Sequence, residues 1–299
     1  MDYTRSSDPN AINERYMDSI VIEERLIGSV AADTTAELFG STFSMPVMTP
    51  AFSHIGKLHG REMTGLEEYS AAAGKLNILN FCGMMENDMF ERIVSRGAKT
   101  VRIVKPYADN AKVRDQMRFA EDAGAFGIGM DIDHIFGEKG YDICVGELMA
   151  SQTEDMLASY VSDTKLPFFV KGVLSVSDAL KCADIGVRCI IVSHHHGRMP
   201  YAMPPMMILP EIKKALSGRD VKILVDCGIA SGADVYKAIA LGADGACVGR
   251  SMMAPLESSG IQGVRDFITG VGNELRLIMS FTGARTVKDI DSSTLHFMK

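Results

Sequence analysis

The feature that most limits what this chain can fold into is an eightfold alternation. Short runs rich in Val, Ile and Phe recur as "MPVMTP", "KLNILNF", "KTVRIVK", "FGIGMDI", "LPFFVKG", "RCIIVSH", "VKILVDC" and "DGACVGR". Between them lie segments of helical pattern, such as "GLEEYSAAAG", "DMFERIVSRG", "AKVRDQMRFAEDAG", "VSDALKCADIG" and "GADVYKAIALGADG". Several end in Gly, which enters the left-handed region just past a helix without steric cost. An unbroken series of strand–helix pairs belongs to a parallel α/β sheet, either open and doubly wound or closed into a (β/α)₈ TIM barrel. At 299 residues the chain is close to the ~250 typical of the barrel, which favours closure as a single domain. Residues 41–299 are assigned to the barrel. Residues 1–40 are read as a short N-terminal leader packed on the barrel's N-terminal side.

Composition excludes several function classes. The net charge of −7 comes without a Lys/Arg cluster, so no nucleic-acid partner is expected. No apolar run is long enough to cross a bilayer, and no membrane role is expected. The start, "MDYTRSSDPNAINERY", lacks the apolar core of a signal peptide. Cys82, Cys144, Cys182, Cys189, Cys227 and Cys247 show no C-x-x-C spacing, which fits reduced thiols and a cytoplasmic location.

Barrel enzymes gather their chemistry at the C-terminal ends of the strands. Here those ends carry Asn80, Lys105, Asp131 and Asp133, Lys171, Ser193 to Arg198, Asp226 and Arg250. Any one of them is explained as a capping or solvated residue; their joint convergence on one rim is not. In the last two loops, "VDCGIASGADV" and "CVGRSMM", Gly228, Gly232 and Gly249 let the backbone approach an anion. The helix N-terminus that follows offers N–H groups to a phosphate beside Arg250.

Three of the seven histidines are consecutive, in "IIVSHHHGRMP". On an extended chain successive side chains alternate, so His194, His195 and His196 cannot all face one ligand. A metal held by two of them and an Asp lacks a recognisable partner spacing, and no metal is expected. The alternative is one His as a base oriented by Asp133, with Arg198 offering its planar fork to a carboxylate. Met203, Met206 and Met207 supply either an adaptable apolar wall or simple loop packing.

These segments, with "LPFFVKGVLSVSDAL" and "ILVDCGIASGADVYKAIALGADGACVGR", resemble the FMN-dependent α-hydroxy-acid oxidising enzymes, the group of glycolate oxidase, lactate oxidase and mandelate dehydrogenase. The resemblance runs from about residue 20 to the C-terminus. It implies FMN as cofactor, oxidation of a small 2-hydroxy acid to the 2-oxo acid, and a homo-oligomer, commonly a tetramer. Carried over by position, His195 is the catalytic base, Asp133 its partner carboxylate and Arg198 the holder of the substrate carboxylate. Lys171 stabilises the reduced flavin. Ser193, Asp226, Gly228, Gly249 and Arg250 fall on ribityl and phosphate contacts, and Ala51, Phe52, Ser53, Asn80 and Asp131 on contacts to the ring.

The chain also departs from that family. His194 and His196 stand for the family's Asn and first Gly, Ile103 for a flavin-contacting Gln, and Ala230 for a phosphate-binding Arg. Lys105 replaces an active-site Tyr and is placed with the substrate-binding residues. A second active-site Tyr has only Tyr3 and Tyr16 as candidates. The interval from Asp133 to Lys171 is short, which removes most of a covering loop. Rival readings are isopentenyl-diphosphate isomerase-like or ene-reductase chemistry, for which Lys105 and Lys139 would serve as rim cations, a flavin-binding protein without turnover, and a metal-dependent hydrolase.

Overall fold

The structure, a computed structural model, describes residues 7–298. Its eight barrel strands are β1 (Val47–Met48), β2 (Asn80–Cys82), β3 (Thr100–Val104), β4 (Gly127–Asp131), β5 (Phe168–Val173), β6 (Cys189–Val192), β7 (Lys222–Val225) and β8 (Gly245–Cys247). They pair in parallel, in the order 1-8-7-6-5-4-3-2. The two ends of that order meet where the Thr49 N–H donates to the Leu79 carbonyl at 3.3 Å, closing the cylinder.

Around it run α2 (Gly65–Leu76), α3 (Asn87–Val94), α4 (Asn110–Asp122), α5 (Glu154–Ser162), α6 (Val176–Asp184), α7 (Pro205–Ala215), α8 (Gly232–Ala240) and α9 (Met253–Phe281). Among the described residues, no helix is long and apolar enough to cross a membrane.

Strand alternation explains the two cores. Ile128, Met130, Phe168, Val170, Ile190, Val192, Ile223 and Val225 face the helices, whereas Met48, Phe81, Val101, Ile103, Phe169, Cys189, Ile191, Leu224 and Cys247 fill the barrel. The glycines of β4 make room for that filling: a Cβ on Gly129 would lie 2.7 Å from the Phe169 Cβ. The second apolar run starts as a strand later than its composition suggests. Lys75 and Leu76 still belong to α2, which stops at Asn77 in the left-handed conformation (φ 49°).

Residues 7–40 are not a single leader on the N-terminal side. A hairpin, Ala36–Leu38 with Ser41–Phe43, does plug the barrel bottom, where Phe39 and Phe43 meet Phe126 and Phe169. Ile20–Ile22, however, pairs antiparallel with Leu295–Phe297 and so ties the two ends of the chain together. Helix α1 (Pro9–Asp18) lies across the opposite, C-terminal rim. There Asn10 Nδ2 donates to the His196 carbonyl at 3.2 Å and Asn13 Nδ2 to the Cys227 carbonyl at 3.1 Å. The Asn10 and Asn13 amides thus satisfy rim carbonyls in the loops after β6 and β7.

Candidate active site

On strands β3 to β7 a polar residue stands two places beyond an inward-facing one, on the same face of the strand. Ile103, Gly129, Phe169, Ile191 and Leu224 are followed by Lys105, Asp131, Lys171, Ser193 and Asp226, one layer higher. Lys171 and Asp131 are register partners on adjacent strands. Lys171 Nζ donates to Ser193 Oγ at 3.3 Å and lies 3.7 Å from both Asp131 Oδ1 and Asp226 Oδ2. Lys105 Nζ sits 2.7 Å from Asp131 Oδ2. Burial alone would neutralise Asp131, but Lys171, Lys105 and His195 hold its carboxyl well below the usual range. Lys171 is likewise kept charged against burial by Asp131 and Asp226.

Strand phase changes one assignment and ion pairing another. Asn80 is out of phase with Phe81 and points to the helices, fully buried. Its side chain donates to Ser70 Oγ and Thr100 Oγ1 and accepts from Thr49 Oγ1, so nothing is left for a flavin. Lys105 is 6% exposed and committed to Asp131, so it offers no free cation to a substrate. A buried ammonium without a counter-ion is far costlier than one that is paired, which keeps it there.

Above this layer, His195 Nδ1 is 2.7 Å from Asp133 Oδ1 and 3.2 Å from Asp131 Oδ1. The Asp133 acceptor, with the Asp131 charge beside it, fixes the proton on Nδ1 and leaves the Nε2 lone pair free. Burial and Lys171 press the His195 pKa down, but the two aspartates outweigh them and raise it above 6.5. Burial, with the neighbouring Asp131 charge, raises Asp133 to about 6. Asp133 fits only because residue 172 is Gly: a Cβ there would lie 2.4 Å from the Asp133 Cγ.

The three histidines separate as their strand ends. His194 is buried, and neither ring nitrogen has a hydrogen-bond partner. His195 (φ 47°) and His196 (φ 59°) are both left-handed, a conformation that costs non-glycine residues roughly 1–2 kcal/mol each. Ser193 Oγ accepting from the His195 N–H, and the His194 carbonyl accepting from Gly197 and Arg198, hold that turn.

Arg198 Nη1 donates to Asp142 Oδ2 at 3.2 Å. Asp142 also takes His134 Nε2 at 3.0 Å, while His134 Nδ1 accepts from Lys105 at 2.9 Å. Lys can only donate, so His134 is a fixed neutral tautomer; burial, Lys105 and Arg198 press its pKa to about 4. Asp131, His134 and His195 hold ligand-type atoms within 4.8 Å of one another, but the Lys105 ammonium already bridges the first two.

His134 and Asp142 were not singled out from sequence. Asp142 belongs to what remains of the covering loop, two small hairpins in residues 136–148. Of the three methionines, Met206 is on the buried face of α7, whereas Met203, before the helix, and Met207, on it, face solvent. Tyr16 packs on Phe297, and Tyr3 lies outside the described residues.

A cavity of about 590 Å³ opens beside this cluster, walled by Pro50, Ala51 and Phe52 after β1, Ile229, and the Gly228 and Gly249–Arg250 turns. Lys171, His195 and Asp226 reach it; Asp131 and Ser193 lie beneath, and the Ser53 hydroxyl is taken by the Met84 N–H. A larger hollow of about 810 Å³, around Asp33, Lys213 and Lys288, lies at the barrel's other end, far from these groups.

An apolar wall, a buried lysine and a glycine–arginine end suit a flat ring carrying an anionic tail. A Cβ built on Gly249 would meet nothing within 4 Å, so that turn is open to a ligand. One expected anion partner is partly taken: carboxylates from α8 and α9 occupy N–H groups at the start of α8. Asp234 accepts from the Ala230 and Ser231 N–H groups at 3.0 Å each, and Glu274 from Gly232 at 2.9 Å.

The sequence profile of FMN-dependent dehydrogenases matches residues 5–144 and 139–297. The chain belongs to that family. An L-lactate oxidase from Lactobacillus jensenii is 36% identical over 159 residues, 52% of this chain and 39% of that protein. A peroxisomal (S)-2-hydroxyacid oxidase from Arabidopsis thaliana is 27% identical over 326 residues, covering 95% and 88% of the two chains. The crystal structure of a mandelate oxidase bound to 3,3-difluoro-2-hydroxy-3-phenylpropionic acid superposes with a TM-score of 0.87 at 26% identity, covering 99% of this chain and 92% of that one. As a family member the protein is an FMN-dependent oxidoreductase, and its (β/α)₈ barrel is the one these enzymes share.

Proposed function

We propose that the protein oxidises a small 2-hydroxy carboxylic acid to the 2-oxo acid, with His195 as base. One observation carries this reading: His195 Nδ1 is held by Asp133 and Asp131, so Nε2 is the free, basic atom of a residue lining the flavin-sized cavity. FMN, when bound, supplies the two-electron acceptor. The protein's own groups do the rest. Arg198 takes the substrate carboxylate, sharing or exchanging its Asp142 contact. His195 Nε2 takes the proton, and the Asp133 and Asp131 carboxylates stabilise the imidazolium that results. Lys171 holds a positive charge at the cavity, where negative charge builds as the ring is reduced. Assembly as a homo-oligomer and a cytoplasmic location belong to this proposal as well; all six cysteines are free thiols, which fits a reducing compartment.

Anaerobic titration of the FMN-loaded protein with glycolate, lactate, mandelate and longer 2-hydroxy acids tests it. At least one should bleach the flavin; if none does, the activity is not this one. In Arg198→Lys the same acid should still bleach, but with its KM raised by roughly 10–100-fold, because the planar fork is lost.

The pH profile follows from the His195 shift. A base must be unprotonated, and its folded pKa lies above 6.5, so kcat/KM should rise with pH through that value and fall away below it. Asp133→Asn removes one of the carboxylates that raise it. The acid limb should then move to lower pH while the plateau rate drops; an unmoved limb would mean that another group titrates.

A further inference from the structure

We propose that His196 is a ligand of the FMN phosphate, taking up a proton as the cofactor binds. The inference rests on the FMN reading of the cavity above strands β7 and β8. Three observations carry it. His196 lines that cavity beside Gly249, Arg250 and Ser251. Its ring is tethered: His196 Nδ1 lies 2.5 Å from Asn10 Oδ1, and Arg250 Nη2 donates to the same oxygen at 3.3 Å. One amide from α1 therefore sets the imidazole and the guanidinium side by side. Third, the usual alternative is reduced, since Asp234 and Glu274 occupy the Ala230, Ser231 and Gly232 N–H groups at the start of α8, and Ala230 has no side-chain donor.

The tether fixes the chemistry. Asn10 Oδ1 is an acceptor, so Nδ1 carries a proton and the neutral ring presents a bare lone pair at Nε2. A phosphate oxygen cannot accept from a lone pair. Protonation at Nε2 turns the ring into a cation with a second donor, and His196 and Arg250 then form a charge-assisted pair on the anion. The charged groups around the ring are Asp8 and Glu14 from α1, Arg250 from the loop after β8, His195 beside it in the chain and Asp226 from the loop after β7. Burial and Arg250 hold the His196 pKa below 6.5 without the cofactor, and a bound phosphate would raise it. The left-handed φ of 59° at His196 is also a strained place for a histidine that does nothing.

The test is the dissociation constant of FMN and of riboflavin for the flavin-stripped protein, followed by flavin fluorescence from about pH 5.5 to about pH 8.5, where imidazole titrates. Wild type, His196→Gln and His196→Lys are compared, so that titration of the FMN phosphate itself cancels. At the acid end, His196→Gln should bind FMN about tenfold more weakly than wild type, and at the alkaline end the two should converge. His196→Lys, a permanent cation, should stay tight throughout. Riboflavin, which has no phosphate, should bind all three alike. The proposal is overturned if His196→Gln follows wild type at every pH, or if riboflavin weakens as much as FMN. If wild type binds neither flavin, the reading of the cavity fails first and this one with it.

Discussion

His195→Gln is expected to cut the rate of substrate-driven flavin reduction by at least about 10²–10⁴, with FMN still bound. Gln keeps a donor for Asp133 but has no atom that takes a proton at neutral pH. The loss should therefore fall on the chemical step and leave the cavity intact. His195 also lies between two aspartates that stabilise its imidazolium, at 2.7 and 3.2 Å, so more is removed than a base of ordinary strength. Rapid mixing under anaerobic conditions, read at the flavin absorbance, measures the effect. Bleaching at the wild-type rate would show that the proton leaves by another route.

Asp131→Asn is expected to cost roughly 3–5 kcal/mol of stability, the range for removing one partner of a buried ion pair. Asp131 is the only carboxylate paired with the buried Lys105 among the described residues, and it also faces Lys171. With Asn there, Lys105 keeps only the neutral His134 as a partner. Lys171 is protected by Asp226, so the penalty falls mainly on Lys105. The double variant Lys105→Met/Asp131→Asn should recover most of the loss, because no unpaired charge remains. Urea unfolding of wild type, Asp131→Asn, Lys105→Met and the double variant separates the outcomes. An additive double variant would refute the pairing.

The pair also shows where sequence reading stopped. Lys105 was legible as a polar strand end one layer above the barrel filling, but its direction was not. Whether a strand-end lysine faces a ligand or an aspartate on the next strand depends on a register partner in a segment some 26 residues away. Asn80 failed for a simpler reason: it was read as the end of its strand, whereas β2 begins there, out of phase with the inward Phe81. Asp142 and α1 were invisible as site elements. Their side chains meet the rim only through the short hairpins and the reversal of the chain after Asp18, which no local periodicity encodes.

What the sequence determined by itself was the alternation of eight strands and helices and the level at which polar residues replace apolar ones along each strand. Both are local, since a pleat of period two and a helix of period 3.6 are written in neighbouring residues. What only the tertiary structure decided was which charges are spent on one another. His195 is held by Asp133 and Asp131, Arg198 leans on Asp142, and Asp234 and Glu274 occupy N–H groups at the start of α8. Electrostatic partners are chosen by distance in space, and closing the barrel brings together residues that the chain keeps far apart.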